Sequence, residues 1–68
     1  MASLKINGVE KKFENLPQTI SQLLEQLKVD AATVVAEVDG QIIEKEKFST
    51  MKLTQGQAIE LIRFVPGG

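Results

Sequence analysis

The sequence predicts an α+β fold in which one helix packs across a single sheet. Three observations lead to this prediction. Two Xaa-Gly turn signals interrupt segments in which apolar and polar residues alternate, a single segment has helical periodicity, and the last apolar run is strand-like. Because the helix has only one apolar stripe, one sheet is enough to cover it, which gives a two-layer roll. With 68 residues the chain forms one domain.

Residues 3–13 predict a β-hairpin. Apolar side chains alternate with polar ones on both sides of Asn7-Gly8. An Asn-Gly pair suits a type I′ turn, in which both central residues have positive φ. The segment therefore supplies the first two strands of the sheet.

The segment after Pro17 predicts the helix. Thr19, followed three residues later by Gln22, has the pattern of a capping box, which satisfies free backbone N–H groups at a helix start. The apolar residues that follow have the spacing of one helical face: Ile20, Leu23, Leu24 and Leu27. We expect a helix of about 10 residues whose apolar stripe belongs to the core.

Three further strands are predicted after the helix. Residues 33–43 alternate around Asp39-Gly40, which indicates a third strand and a short fourth strand. The last strand runs from Ala58 to about Val65.

The charged run at residues 44–48 indicates a solvated loop. We expect the apolar residues at its end and after it to fold back onto the core. These residues are Phe48, Met51 and Leu53.

The last strand presents two different apolar faces. Ile59 and Leu61 lie on the face expected to meet the helix, which leaves Ile62 and Phe64 on the open side of the sheet. Two large apolar side chains on an open face indicate a contact surface for a partner. The alternative is that residues 44–52 fold over them.

Composition narrows the classes of function. Eight basic and nine acidic residues are spread along the chain, and its only aromatic residues are three Phe. Without a basic stripe or a set of aromatic side chains on which bases could stack, nucleic-acid binding has little support. The absence of Cys and His excludes disulfides and thiolate or imidazole metal sites. The apolar runs are too short to span a membrane and no signal-peptide pattern is present, so we expect a soluble, cytoplasmic protein. We also expect it to be monomeric on its own.

The sequence ends in Pro66-Gly67-Gly68, which indicates chemistry at a chain terminus. The fixed φ of Pro66 favours an extended exit from the sheet, and glycines without Cβ atoms can enter a channel too narrow for other residues. The remaining reactive group is the Gly68 α-carboxylate, which needs activation, for instance by ATP as an acyl adenylate, before a nucleophile attacks it. We therefore expect a folded domain at residues 1–65 and a flexible tail at 66–68.

Over essentially its whole length the chain resembles the ubiquitin-like β-grasp sulfur carriers, specifically the ThiS type of thiamin biosynthesis. The resemblance rests on the Asn7-Gly8 hairpin, the helix QTISQLLEQL, the strand VVAEVDGQII, the QGQ turn before IELIRFV, and Gly67-Gly68. It implies a β-grasp roll with a mixed sheet of four to five strands on one helix. Gln57 stands where the family usually has Asp, which is expected to cost a turn hydrogen bond, and Pro66 stands where many relatives have a third glycine.

The resemblance also implies partners and a role for the tail. An ATP-dependent adenylating enzyme of the ThiF type would activate Gly68, and its carboxylate would then become a thiocarboxylate with sulfur from a donor such as a cysteine desulfurase. Thiazole synthase would receive the sulfur. The chain itself would be a carrier and not an enzyme, without catalytic residues, metal or bound cofactor. The partner-binding residues would be Ile62, Phe64 and Val65, and the threading residues Pro66 and Gly67.

Three alternatives remain open at this point. A MoaD-type carrier would feed molybdopterin synthesis, although such chains tend to be longer than 68 residues. A ubiquitin-like modifier would be joined through Gly68 to lysines of target proteins. A β-grasp interaction module would make no chemical use of the two glycines.

Overall fold

The computed structural model describes residues 1–64, so Val65 and the predicted tail at 66–68 lie outside the described residues. Its elements are β1 (Ala2–Ile6), β2 (Val9–Phe13), α1 (Ile20–Leu27), β3 (Val34–Val38), β4 (Gln41–Ile43) and β5 (Ala58–Arg63), with short 3-10 helices at Ala31–Thr33 and Lys45–Lys47. The strands form one sheet in the order β2-β1-β5-β3-β4. Because β5 is parallel to β1 and antiparallel to β3, the sheet is mixed. The predicted α+β fold with a mixed sheet on one helix is confirmed.

Both Xaa-Gly turns form as the sequence predicts. Asn7 and Gly8 have φ values of 51° and 83°, and Asp39 and Gly40 have values of 50° and 86°. Positive φ costs glycine nothing and is tolerated by Asn and Asp better than by most residues. The turns therefore close β1 on β2 and β3 on β4 as antiparallel pairs.

The helix begins at the predicted cap and is slightly shorter than the predicted length of about 10 residues. The Thr19 hydroxyl oxygen accepts a hydrogen bond from the Gln22 N–H at 3.2 Å. The Gln22 side chain accepts from the N–H of Gln18 at 2.9 Å, one residue before the N–H that a capping box satisfies. At the other end Lys28 adopts a left-handed conformation with φ of 59° and its N–H caps the last turn, so the helix spans 8 residues.

The hydrophobic core lies between α1 and one face of the sheet. It consists of Leu4, Phe13, Ile20, Leu23, Leu24, Val34, Ala36, Val38, Phe48, Leu53 and Ile59. Three of the four residues of the predicted helical stripe are thus buried, and Leu27, the fourth, packs partly buried against them. The stripe belongs to the core, as predicted.

The segment between β4 and β5 closes the helix side of the molecule. The Phe48 carbonyl accepts from the Ser21 N–H at 2.9 Å, and the Leu53 N–H donates to the Gln18 carbonyl at 2.8 Å. Phe48 and Leu53 are buried and Met51 packs against the core, which confirms the prediction for these residues. The segment is therefore tied to the start of α1 and does not cover the other face of the sheet.

Gln57 keeps the turn before β5 closed. Its side-chain oxygen accepts from the Thr54 N–H at 2.9 Å, and its own N–H donates to the Thr54 carbonyl at 3.3 Å. An amide carbonyl accepts a hydrogen bond where a carboxylate would have done so. The expectation that Gln57 costs a turn hydrogen bond is therefore wrong.

We expect Leu24→Ala to lower the free energy of unfolding by about 2–5 kcal/mol, because it leaves a cavity between α1 and the sheet. Urea unfolding measures the effect, and Gln26→Ala on the exposed side of the same helix is the control. An unchanged unfolding midpoint for Leu24→Ala would show that the helix does not pack as described.

Candidate partner-binding face

The sheet face turned away from α1, here called the open face, is built by strand alternation. In β3 the buried residues Val34, Ala36 and Val38 point to the helix, so Val35 and Glu37 lie on the open face. The register of β3 with β5 sets Val35 directly opposite Ile62. Residues that are far apart in the sequence thereby become neighbours on one surface.

An apolar patch occupies the part of the open face near the end of β5. Its members are Val35, Ile42, Ile62 and Phe64, with exposed fractions of 37%, 69%, 51% and 41%. Isolated exposed apolar residues are ordinary, whereas a group of them on one face is typical of an interaction surface. The patch therefore supports the contact surface predicted at Ile62 and Phe64.

The structure adds two residues to the predicted surface. Val35 joins it because it pairs with Ile62, and Ile42 joins it because it lies opposite Glu37 in the β3–β4 hairpin. The alternation in residues 33–43 could have placed both on the open face. The position of Val35 beside Ile62 could not have been read from it, because that depends on β3 pairing with β5.

The alternative that residues 44–52 cover Ile62 and Phe64 is not what the structure shows. Phe48 turns to the core, and both residues of the patch remain about half exposed. One side chain of that segment does approach the patch, because the Lys45 ammonium lies 5.4 Å from the centroid of the Phe64 ring.

Phe64 continues the sheet for one residue beyond β5. Its N–H donates to the Thr33 carbonyl at 2.9 Å, on the strand side that pairs with β3. The predicted site residues that follow it, Val65, Pro66, Gly67 and Gly68, lie outside the described residues. The structure thus brings Ile62 and Phe64 together and leaves the tail residues as predictions.

A pair of like charges borders the apolar patch. Glu37 and Glu60 are directly opposite each other on β3 and β5, and both lie on the open face. Opposite residues have Cβ atoms about 4.5–5.5 Å apart, a separation at which like charges destabilise a sheet. Lys5 and Glu10 form the corresponding pair on β1 and β2, and there the charges are opposite.

Beyond the apolar patch, the described residues contain a depression and no cluster of metal ligands. Within residues 1–64, no group of three or more acidic side chains could hold a metal ion. A shallow depression lined by Ser3, Lys5 and Glu10 lies near the start of β5, at the other end of that strand from Phe64. Within the same residues, the single α-helix is too short to cross a bilayer.

Together, the mixed sheet, the single helix and the apolar open face define a small β-grasp binding domain. Residues 4–68 match the sequence profile of the ThiS family. The chain is 32% identical over 65 residues to the sulfur carrier protein ThiS of Bacillus subtilis strain 168, covering 96% of this chain and 98% of that protein. The chain therefore belongs to the ThiS family, and the resemblance inferred from its sequence is confirmed.

Solved structures agree with this assignment. The crystal structure of the thiamine biosynthesis protein ThiS from Geobacter metallireducens is 31% identical, with a TM-score of 0.83 over 97% of this chain and 99% of that chain. A solution structure of a thiamine biosynthesis protein from the same organism gives a TM-score of 0.78, covering 97% and 87% of the respective chains. The predicted role of a sulfur carrier in thiamin biosynthesis is confirmed, and this role fits the prediction that the chain is not itself a catalyst.

The chain is also similar to part of a larger protein. A thiazole synthase of Paramagnetospirillum magneticum is 32% identical over 65 residues, which cover 96% of this chain and 20% of that protein. A segment like this chain thus makes up a fifth of that synthase.

We expect Glu60→Gln to raise the free energy of unfolding by roughly 0.2–1 kcal/mol at low salt, because it removes the repulsion with Glu37 and keeps the side chain's shape. Urea unfolding measures the change, with Glu14→Gln, an exposed residue outside the sheet, as the control. A variant no more stable than the wild type would mean that the pair carries no repulsion.

Proposed function

We propose that this sulfur carrier works through the carboxylate of Gly68, which an ATP-dependent adenylating enzyme of the ThiF type activates. The observation that carries the proposal is the match to the ThiS family, which extends to residue 68 and so includes both glycines. The tail would reach the enzyme's ATP site through Pro66 and Gly67, since residues without Cβ atoms fit a narrow channel.

The proposed chemistry takes place at one carbonyl carbon. A Gly68 carboxylate oxygen attacks the α-phosphorus of ATP, and pyrophosphate leaves. The resulting acyl adenylate is an electrophile, so the terminal sulfur of a persulfide donor, such as a cysteine desulfurase, attacks its carbonyl carbon and AMP leaves. A second thiol then attacks the donor's sulfur in the acyl disulfide, which forms a disulfide with the donor and releases the thiocarboxylate. Its sulfur is a stronger nucleophile than the oxygen it replaces and is then transferred to the acceptor. Because activation consumes ATP, the proposal places the cycle in the cytoplasm, where ATP is available.

The apolar patch is the proposed docking surface for the adenylating enzyme. Ile62 and Phe64 are the patch residues closest in sequence to the tail. Phe64 makes the last backbone hydrogen bond described for the sheet, and the proposed contact residue Val65 follows it directly. A partner that covers the patch would therefore also be near the tail. The folded domain would be recognised by the enzyme, and the residues after it would extend into the enzyme's ATP site.

Thiazole synthase is the proposed acceptor of the sulfur. Support comes from the thiazole synthase of Paramagnetospirillum magneticum, which contains a segment similar to this chain. When two activities occur in one polypeptide, the corresponding separate chains commonly act on each other. We therefore propose that this chain delivers its sulfur to a separate thiazole synthase.

Deletion of Gly68 tests the chemistry. We expect the wild type, incubated with ATP, the adenylating enzyme and a sulfur donor, to gain the mass of one sulfur in place of one oxygen. The truncated chain should gain nothing, although its fold is kept, because the core residues of the described part lie between Leu4 and Ile59. Intact-mass spectrometry gives the result.

A bulky residue added after Gly68 should also abolish the mass change, whereas the same residue added before Met1 is the matched control. If the truncated or extended chain still accepts sulfur, the carboxylate of Gly68 is not the site of attachment.

Substitutions in the apolar patch test the docking surface. We expect Ile62→Asp and Phe64→Asp each to weaken binding to the adenylating enzyme about ten- to a hundredfold, which corresponds to the burial of one large apolar side chain. Titration calorimetry without ATP measures affinity apart from chemistry. Val9→Asp is the control, since Val9 is also exposed but lies on the helix-side face of β2. Unchanged affinity for both patch variants would place the interface elsewhere.

A further inference from the structure

Three segments of the chain meet where the described part of the tail strand ends. The N–H of Phe64 donates to the Thr33 carbonyl at 2.9 Å, which joins the end of β5 to the 3-10 helix before β3. The ammonium of Lys45, in the 3-10 helix after β4, donates to the Ala32 carbonyl at 3.2 Å. The same ammonium lies 5.4 Å from the centroid of the Phe64 ring.

The acceptors of these hydrogen bonds are themselves held in place. The Asp30 carboxylate accepts from the Ala32 N–H at 2.9 Å, and the Asp30 carbonyl accepts from the Thr33 hydroxyl at 2.7 Å. The two carbonyls therefore belong to a capped turn with a defined conformation. An ammonium that binds one of them has lost much of the freedom of a surface lysine.

A cation within about 6 Å of an aromatic centroid is attracted to the ring's negative face. Phe64 is 41% exposed, so part of its ring is open to solvent. The fixed ammonium thus restricts the ring before any partner arrives. A docking residue that is already ordered costs less entropy on binding than one that must be ordered.

We infer that Lys45 is a positioning residue for the activation of the carrier. It holds the Phe64 ring in one orientation. Phe64 is the member of the apolar patch nearest the tail in sequence, so its orientation affects how the partner binds there. The inference rests on the proposed function, in which the adenylating enzyme binds this patch. Because Lys45 touches no reacting atom, its loss changes the enzyme's KM for the carrier and leaves kcat unchanged.

The contact itself is tested by nuclear magnetic resonance of the free carrier. Lys45→Met keeps the apolar stem without the charge, Lys45→Arg keeps a cation, and Lys47→Met removes a charge from the same 3-10 helix. In the wild type we expect the Lys45 ε-methylene resonance to be shifted upfield by the ring current of Phe64. We expect the Phe64 ring resonances to move in Lys45→Met and to stay unchanged in Lys47→Met. An ε-methylene at its ordinary position would overturn the inference.

The role in activation is tested by steady-state pyrophosphate release with the adenylating enzyme, ATP, a sulfur donor and a thiol, so that each adenylate is discharged and the enzyme turns over. For Lys45→Met we expect KM to rise roughly two- to fivefold, the size of an exposed cation–π contact, with kcat unchanged. Lys45→Arg should restore the wild-type KM, and Lys47→Met should not change it. Matched melting temperatures show that the three variants are equally folded.

The outcomes separate this inference from the proposed function. If the wild type is activated and Lys45→Met has the wild-type KM, the positioning role is wrong and the proposed function stands. An equal rise in KM for Lys47→Met would assign the effect to general charge attraction and would also overturn the role. If the wild type itself releases no pyrophosphate, the proposed function fails and the inference fails with it.

Discussion

The position of β5 is the constraint on which the rest of the structure depends. This central strand is paired with β1 on one side and β3 on the other, and side chains from two turns complete the pairing. The Asn7 side-chain oxygen accepts from the Leu61 N–H at 2.7 Å, and the Asp39 carboxylate accepts from the Ala58 N–H at 3.0 Å. The same two residues adopt the positive φ that closes both hairpins. Turn geometry and the register of the central strand are therefore fixed together.

That register decides which side chains of β5 lie on the open face. With Ile59 opposite Val38, the buried residues of both strands meet the helix, and Ile62 is left beside Val35 on the open face. A shift of one residue would exchange the two sets of side chains between the core and the surface. The loss of core burial opposes such a shift. The packing of the core therefore also fixes which side chains make up the open face.

Most of the fold could be predicted because its signals are local. The two Xaa-Gly turns, the Thr19 cap and the helical stripe each act within a few residues, and each is confirmed. Ile62 and Phe64 could be assigned to the open face by alternation along a single strand. Contacts between distant segments could not be predicted, because they depend on strand order, and these include the approach of Lys45 to Phe64. The roles of the tail residues remain predictions based on the family.

The like-charged pair of Glu37 and Glu60 has a consequence for how the carrier behaves at high concentration. An exposed apolar patch on a sheet face can bind a second copy of the same chain. Face-to-face stacking would bring the carboxylates of both copies into one interface, where desolvation makes their repulsion stronger. A partner with a basic residue beside its own apolar surface would meet no such penalty. The pair would thus lower the folding stability slightly and disfavour contact between two copies of the open face.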